Sequence, residues 1–256
     1  MVENSPSNLQ RALGRGMPIW GGWITGPTML GPEVFARADY DYIGFDAQHG
    51  YLDDADIAGM LRHSEHLPIA TAVRLPNADA APIGRVLDAG ADAVIIAMIE
   101  SADQAAAAVA AARYQPRGIR SFGPLRASLG VDSSALESRA SVFAMIETAA
   151  ALGNLNEICA VEGLAGIYIG PADLALSMGI DPVGALGNAA VREQVVRVHR
   201  AAAEAGLVTA VHALTGTMGN LMARLRFQMI TLAAESQALH RGAAEHLREA
   251  RGEGAQ

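Results

Sequence analysis

Residues that can transfer protons or bind a metal ion follow short apolar stretches at several points of this sequence. Asp46 and His49 close YDYIGFDAQHG, Arg74 closes PIATAVR, Glu147 lies in SVFAMIET and Asp173 lies in IGPADL. An imidazole next to a carboxylate suits proton transfer, because the carboxylate can fix its tautomer and raise its basicity. Two carboxylates supply the hard oxygen ligands that Mg²⁺ and Mn²⁺ prefer. The residue types therefore predict acid–base chemistry beside a divalent metal ion.

Each of these residues also has a purely structural explanation. Glu147 and Asp173 could cap helices or form salt bridges where a strand meets a helix, and Arg74 could pair with one of them. His49 could be an ordinary hydrogen-bonded loop histidine. His212, late in LVTAVHA, either reaches the same region or is a hydrogen-bonded core histidine. The two carboxylates have no obvious basic neighbours in sequence, which favours a metal pair.

Short apolar, often β-branched stretches alternate with helical stretches along the chain. The predicted strands are residues 18–24, 40–46, 68–74, 92–99, 141–148, 164–170, 207–213 and 227–234. The predicted helices are residues 7–15, 53–65, 79–89, 101–113, 149–160, 188–205, 216–225 and 236–250. This alternation predicts an α/β fold, a single (β/α)8 TIM barrel that residues 1–256 form as one domain. A doubly wound open sheet is the alternative, although no GxGxxG or P-loop motif follows a predicted strand.

The barrel prediction brings the candidate residues together. In such barrels the carboxyl ends of the strands surround the active site. Alternation along a strand puts Arg74 on the face of Ala72 and Ala70, while Val73 points to the other face. Because the residues below Arg74 are small, we expect space at this end of the barrel.

The composition excludes several functions. The net charge is −8, which argues against a nucleic-acid partner. All of the basic residues are arginines, so an imine-forming aldolase, which needs a lysine, is excluded. The single cysteine, Cys159, rules out an intramolecular disulfide and fits a reducing compartment. No apolar stretch approaches the length of a membrane span and no secretory signal pattern opens the chain, so we expect a cytoplasmic protein without a membrane partner.

The longest irregular stretch covers residues 113–134 and contains Arg117, Arg120 and Arg126. A loop of this length in a compact domain is usually functional. Its arginines either favour an anionic aldehyde substrate, or are structural or lie at a subunit contact. The sequence leaves these alternatives open.

Six segments also carry a family likeness. They are GGWITGP (21–27), FDAQHG (45–50), VRLP (73–76), ARYQPRGIRSFGPLRAS (112–128), MIET (145–148) and GIYIGPADLALSMG (166–179). In order and spacing they resemble the HpcH/HpaI family of metal-dependent class II pyruvate aldolases, over nearly the whole chain. The resemblance implies a (β/α)8 barrel that breaks or forms a carbon–carbon bond through the enolate of pyruvate or hydroxypyruvate, with an aldehyde as the other substrate.

The resemblance also implies roles for individual residues. Glu147 and Asp173 would bind a divalent cation, Mg²⁺, Mn²⁺ or Co²⁺. His49, paired with Asp46, would be the acid–base group. Arg74 would bind the keto oxygen and stabilise the enolate.

Substrate contacts are implied for a second set of residues. Trp23 matches the first strand of the family and would contact the substrate. Backbone N–H groups around Gly170, Pro171, Ala172 and Asp173 would hold the pyruvate carboxylate, although Pro171 itself has no N–H. Relatives assemble as trimers or hexamers that exchange C-terminal helices, so the predicted helix 236–250 is expected to swap between subunits.

Two positions depart from the family pattern, and two other functions stay open. Met145 stands where many relatives carry Gln, and Gln48 replaces the commoner Glu. One alternative function is a CoA-ester lyase of the citrate lyase β-subunit type, which shares the barrel and the metal chemistry. The other is a non-catalytic barrel that binds 2-oxo acids. The sequence does not name the aldehyde.

Overall fold

The strands of this chain close into a barrel, as the sequence predicts. The computed structural model describes residues 6–253. Eight parallel strands pair in chain order, and the first pairs with the last. They are β1 (Ile19–Ile24), β2 (Tyr42–Asp46), β3 (Ala70–Leu75), β4 (Ala93–Ile96), β5 (Ser141–Ile146), β6 (Gly166–Ile169), β7 (Val208–His212) and β8 (Met229–Ala234). With helices between the strands, this is a (β/α)8 TIM barrel.

The helices include three that the periodicity did not predict, α2, α6 and α9. The full set is α1 (Asn8–Leu13), α2 (Leu30–Arg37), α3 (Asp54–His63), α4 (Ala80–Asp88), α5 (Ala102–Ala112), α6 (Ser133–Arg139), α7 (Ala149–Gly153), α8 (Leu155–Cys159), α9 (Pro171–Ser177), α10 (Ala189–Glu204), α11 (Gly216–Arg224) and α12 (Glu235–Ala250). A proline opens α9 and another lies in the first turn of α2, where a missing N–H costs nothing. The predicted helix 149–160 is divided into α7 and α8 at Asn154.

Two apolar clusters confirm the predicted strand faces. Ala70 and Ala72 belong to the cluster inside the barrel, and Val73 belongs to the cluster between the strands and the helices. Leu9 and Ala12 of α1 join the inner cluster and cover the end of the barrel where the strands begin. The opposite end, at the carboxyl ends of the strands, is the barrel mouth.

Strand boundaries correct one detail of the prediction. β6 ends at Ile169, so IGPADL is not a strand end, and Asp173 lies in the first turn of α9. Glu147 lies one residue beyond β5, and Arg74 is the penultimate residue of β3. All three still reach the barrel mouth, because each follows the carboxyl end of its strand or lies at it.

The last helix is the least enclosed part of the described chain. No residue of α12 is buried. Its first residue, Glu235, accepts hydrogen bonds from the backbone N–H groups of Thr25 at 2.7 Å and Gly26 at 2.9 Å, which ties the segment after β1 to α12. Within residues 6–253 no helix combines the length and the apolar character that crossing a membrane requires.

Candidate active site

Asp46 and Arg74 form a buried ion pair at the barrel mouth. The two residues are register partners on the neighbouring strands β2 and β3. Arg74 Nε donates to Asp46 Oδ1 at 3.0 Å, and Nη2 donates to Oδ2. Burial opposes ionisation of Asp46, but the hydrogen bond and charge of Arg74 outweigh it and hold the pKa of the carboxyl below its ordinary value. Arg74 is therefore fixed by Asp46, and not by either predicted metal ligand.

Trp23 packs against this ion pair from inside the barrel. Its indole Nε1 donates to Asp46 Oδ2 at 3.0 Å, and the Arg74 guanidinium carbon lies 5.5 Å from the centre of the ring. Gly44 makes room for the indole, since a Cβ there would fall 2.1 Å from a ring carbon. Trp23 is buried and holds Asp46 in place. Its predicted contact with substrate stays a prediction.

His49 lies in the exposed turn that follows β2. Its backbone N–H and that of Gln48 donate to Asp46 Oδ1, at 3.0 and 3.1 Å. Within the described residues, no hydrogen bond reaches the His49 imidazole. Asp46 was expected to orient the imidazole directly; it holds the backbone of the turn instead. The turn that carries His49 is thus anchored to Asp46, and the exposed imidazole has no hydrogen-bond partner among the described residues.

Glu147 carries a buried oxygen atom without a donor. The side chain is 1 % exposed, and Oε1 accepts a hydrogen bond from the backbone N–H of Met98 at 2.8 Å. Oε2 is buried and has no hydrogen-bond partner among the described residues. Burial raises the pKa of Glu147 to about 7, the Met98 N–H opposes that rise, and the negative charge of Asp173 adds to it. A buried oxygen atom without a hydrogen-bond donor destabilises the folded protein unless a ligand binds it.

Gly170 leaves room for the Glu147 carboxylate near Asp173. A Cβ at position 170 would fall 2.5 Å from Glu147 Oε2 and 2.6 Å from Met145 Cε, so a larger residue would displace the carboxylate. The chain then turns into α9, which carries Asp173 in its first turn. The two acids are near enough for the charge of one to raise the pKa of the other. The two predicted metal ligands therefore share one side of the mouth.

These residues fit a hard divalent cation. No group of three or more His, Cys, Asp or Glu side chains in residues 6–253 is arranged to hold a metal ion. Glu147 and Asp173 would supply two carboxylates, and water and substrate oxygens would supply the rest, as is usual for Mg²⁺. Met145 contributes only a thioether, which is a weak ligand for such an ion.

The backbone donors predicted for the pyruvate carboxylate are only partly free. The Gly170 N–H donates to the Ile146 carbonyl at 3.2 Å, and Pro171 has none to give. Ala172 and Asp173 lie in the first turn of α9, where N–H groups lack partners within the helix. The prediction for this contact is thereby reduced to Ala172 and Asp173.

The long loop lies at the wrong end of the barrel to select a substrate within this chain. It leads from the end of α5 to α6, which precedes the start of β5, opposite the mouth. Arg117 pairs with Glu137 at 3.0 Å, and Arg120 pairs with Asp88 at 2.6 Å. Arg126 donates to the carbonyls of Leu61 and Gly90, at 3.1 and 3.3 Å. These contacts favour the structural alternative for all three arginines.

The structure adds residues that the sequence analysis missed. Met98, at φ 56°, turns its N–H toward Glu147. Tyr168 and Thr231 lie inside the barrel below the mouth, and Tyr168 Oη is 3.1 Å from His212 Nδ1. Alternation along β6 and β8 could have indicated the inward direction of Tyr168 and Thr231, but nothing in the sequence indicates the Met98 contact.

Comparisons with known proteins match the chain over most of its length. A family model described as HpcH/HpaI aldolase/citrate lyase matches residues 21–239. A hydroxypyruvate/pyruvate aldolase of Rhizorhabdus wittichii is 35% identical over 239 residues, 92% of this chain and 95% of that protein. A 4-hydroxy-2-oxovalerate aldolase of Rhodococcus jostii is 35% identical over 220 residues, 83% of this chain and 85% of that protein.

A solved structure agrees with these sequence matches. The HpcH/HpaI aldolase/citrate lyase family protein of Burkholderia cenocepacia superposes with a TM-score of 0.86 at 28% identity, over 94% of this chain and 98% of that one. The fold, the family model and the curated relatives all indicate the same family. The chain belongs to the HpcH/HpaI aldolase/citrate lyase family.

Proposed function

We propose that this protein is a metal-dependent class II aldolase, an aldehyde-lyase that cleaves or forms 4-hydroxy-2-oxo acids. The observation that carries the proposal is the buried, unpartnered Glu147 Oε2, which lies beside Asp173 at the mouth that also holds Arg74. The curated relatives are named as aldolases, which favours aldol chemistry over CoA-ester cleavage and over binding alone. The enolate donor is pyruvate or hydroxypyruvate, and the acceptor is an aldehyde.

Family members generally depend on a divalent metal ion. In this chain Glu147 and Asp173 would hold it, as Mg²⁺, Mn²⁺ or Co²⁺. When bound, the ion supplies a Lewis acid at the keto oxygen of the substrate. The carboxylates must be ionised to do this, so the raised pKa of Glu147 means that metal and proton compete for its carboxyl group.

Arg74 stabilises the enolate. Two of its nitrogen atoms bind Asp46, which leaves Nη1 with no hydrogen-bond partner in the described part of the chain. Since Asp46 and Trp23 fix the guanidinium, it needs no reorganisation when charge develops on the keto oxygen. A positioned hydrogen-bond donor of this kind stabilises the transition state by about 2.7–4 kcal/mol.

His49 moves the proton. In the cleavage direction its imidazole accepts the proton of the 4-hydroxyl group while the carbon–carbon bond breaks, and the aldehyde leaves. Base assistance of this kind typically supplies about 10²–10⁴ in rate. The anchoring of its turn by Asp46 supports this role for His49, and the amides of Ala172 and Asp173 would hold the carboxylate of the substrate.

Assembly and location extend the proposal. We propose a trimer or hexamer in which α12, which has no buried residue in one chain, packs on a neighbouring subunit. A cytoplasmic location stays a prediction from the cysteine content.

The test is pyruvate release from racemic 4-hydroxy-2-oxo acids, followed with lactate dehydrogenase. Metal-stripped protein should be inactive and should recover with Mg²⁺, Mn²⁺ or Co²⁺. Exchange of the methyl protons of pyruvate with D₂O should show the same metal dependence, since it reports enolate formation without an aldehyde. Full activity in the presence of EDTA would contradict the proposal.

A further inference from the structure

His212 is the last residue of β7 and points into the barrel mouth. Ala210 belongs to the inner cluster and Val211 to the outer one, so alternation directs the His212 side chain inward. The imidazole packs edge-on against the Trp23 indole, with ring centres 5.1 Å apart, and is partly exposed. It therefore lies at the mouth beside Trp23, although none of the proposed steps uses it.

One ring nitrogen of His212 ends a chain of hydrogen bonds inside the barrel. Nδ1 lies 3.1 Å from Tyr168 Oη, which lies 2.6 Å from Thr231 Oγ1. Thr231 Oγ1 in turn lies 2.7 Å from Tyr42 Oη. The three hydroxyl residues are 0 % exposed, and their hydroxyl groups have no further hydrogen-bond partner among residues 6–253. This series of hydrogen bonds is therefore shielded from water.

Counting hydrogens fixes the tautomer of His212. Three hydrogen bonds join four groups, and the three hydroxyls bring three hydrogens. If Nδ1 also carried a hydrogen, four hydrogens would share three bonds, and one buried hydroxyl would be left without an acceptor, which is unfavourable for a buried polar group. Nδ1 must therefore accept from Tyr168, and the ring hydrogen must be on Nε2.

The same surroundings keep His212 neutral. Burial lowers the pKa of the imidazole to about 4, the charge of Arg74 lowers it further, and Asp46 opposes the shift. A protonated ring would also place a hydrogen on Nδ1 and interrupt the series of hydrogen bonds through Tyr168 and Thr231. His212 therefore presents one fixed N–H donor, Nε2–H, which has no acceptor in the described part of the protein.

We propose that the Nε2–H of His212 donates a hydrogen bond to the 3-hydroxyl oxygen of hydroxypyruvate and so favours hydroxypyruvate over pyruvate as the enolate donor. This inference rests on the proposed function, because it names the substrate preference of the same site. In the proposed function, Arg74 and a metal ion held by Glu147 and Asp173 would act on the keto oxygen of the donor. The amides of Ala172 and Asp173 would hold its carboxylate. The C3 substituent is what remains, and only a hydroxyl there can accept a hydrogen bond; the methyl group of pyruvate cannot.

The test compares the two donors with one aldehyde in wild-type protein and in His212→Leu. In His212→Leu we expect kcat/KM for hydroxypyruvate to fall roughly 10- to 100-fold, because one hydrogen bond is lost. The value of kcat/KM for pyruvate should change less than about threefold. His212→Gln restores an N–H at a similar place and should recover part of the preference. His66→Leu, an exposed histidine outside the barrel, is the matched control.

The outcomes separate this inference from the proposed function. Equal losses on both donors would overturn the contact with the 3-hydroxyl while leaving the aldolase proposal intact. A wild-type protein that turns over neither donor would overturn the function itself. If His212→Leu does not fold, ¹⁵N NMR of the wild-type imidazole still decides: an Nε2–H tautomer supports the inference, and an Nδ1–H tautomer overturns it. Tyr168→Phe should release the tautomer and lower the hydroxypyruvate preference.

Discussion

Gly170 lies against the Glu147 carboxylate so closely that a methyl group at position 170 would fall 2.5 Å from Oε2. A larger residue there would have to displace the ends of the Glu147 and Met145 side chains. Gly170→Ala should push Glu147 aside and weaken Mn²⁺ binding at least tenfold, as measured by calorimetric titration, with a parallel loss of pyruvate release. Gly153→Ala, at a position where the added carbon meets open space, is the control. Unchanged Mn²⁺ affinity in Gly170→Ala would remove Glu147 Oε2 from the metal site.

Glu147 is expected to destabilise the metal-free protein at neutral pH. Its pKa in the folded state, about 7, lies above the ordinary 4.5, so the folded protein binds this proton more tightly than the unfolded chain does. The free energy of unfolding should therefore fall as pH rises from about 4.5 to about 7. Glu147→Gln removes this dependence and should stabilise the metal-free protein at pH 8 by up to about 3 kcal/mol, with little effect near pH 4.

Urea unfolding in EDTA at both pH values measures this effect. Glu162→Gln, at an exposed position, should change neither value. Adding Mg²⁺ at pH 8 should stabilise the wild-type protein and not Glu147→Gln, because only the former keeps both carboxylates. A variant that is less stable than wild type at pH 8 would mean that the Glu147 carboxylate is satisfied in some other way.

The Asp46–Arg74 pair should behave as one unit. Arg74→Met leaves Asp46 as an unpaired buried carboxylate and should cost about 3–5 kcal/mol of unfolding free energy. Asp46→Asn combined with Arg74→Met removes the charge and should recover part of that loss. The pair of exposed Arg15 and half-buried Asp41 is the control, and Arg15→Met should cost less than about 1 kcal/mol. Additive effects of Asp46→Asn and Arg74→Met would show that the two side chains are not coupled.

The sequence predicted the barrel well because the residues of each strand indicate which of its faces they occupy. Ala70, Ala72 and Val73 alternate between the two apolar clusters, and that pattern is local. The partner of Arg74 was not predicted, because Asp46 and Arg74 meet only through the register of two strands. Helix α9 was missed for a local reason: its opening proline resembles a turn, although proline is favoured at the first helical position.

Within the site, residue types were more predictable than contacts. The sequence named Glu147 and Asp173 as a metal pair, and the structure brings them near enough for the charge of Asp173 to raise the pKa of Glu147; their binding of a metal ion stays a prediction. The hydrogen-bond chain below His212 was not predicted, because it joins side chains of four different strands, and its distances depend on the closed barrel. Local pattern therefore predicts the direction of a side chain, whereas closure of the barrel decides its partner.

His49 should matter for catalysis and for little else. The imidazole is exposed and forms no hydrogen bond with the described residues, while the backbone N–H of His49, which Asp46 holds, is kept in any substitution other than proline. His49→Ala should therefore reduce aldol cleavage about 10²- to 10⁴-fold while leaving the melting temperature and the Mn²⁺ affinity unchanged. His66→Ala should keep full activity. Wild-type rates in His49→Ala would exclude His49 as the base and direct attention to a water molecule in the mouth.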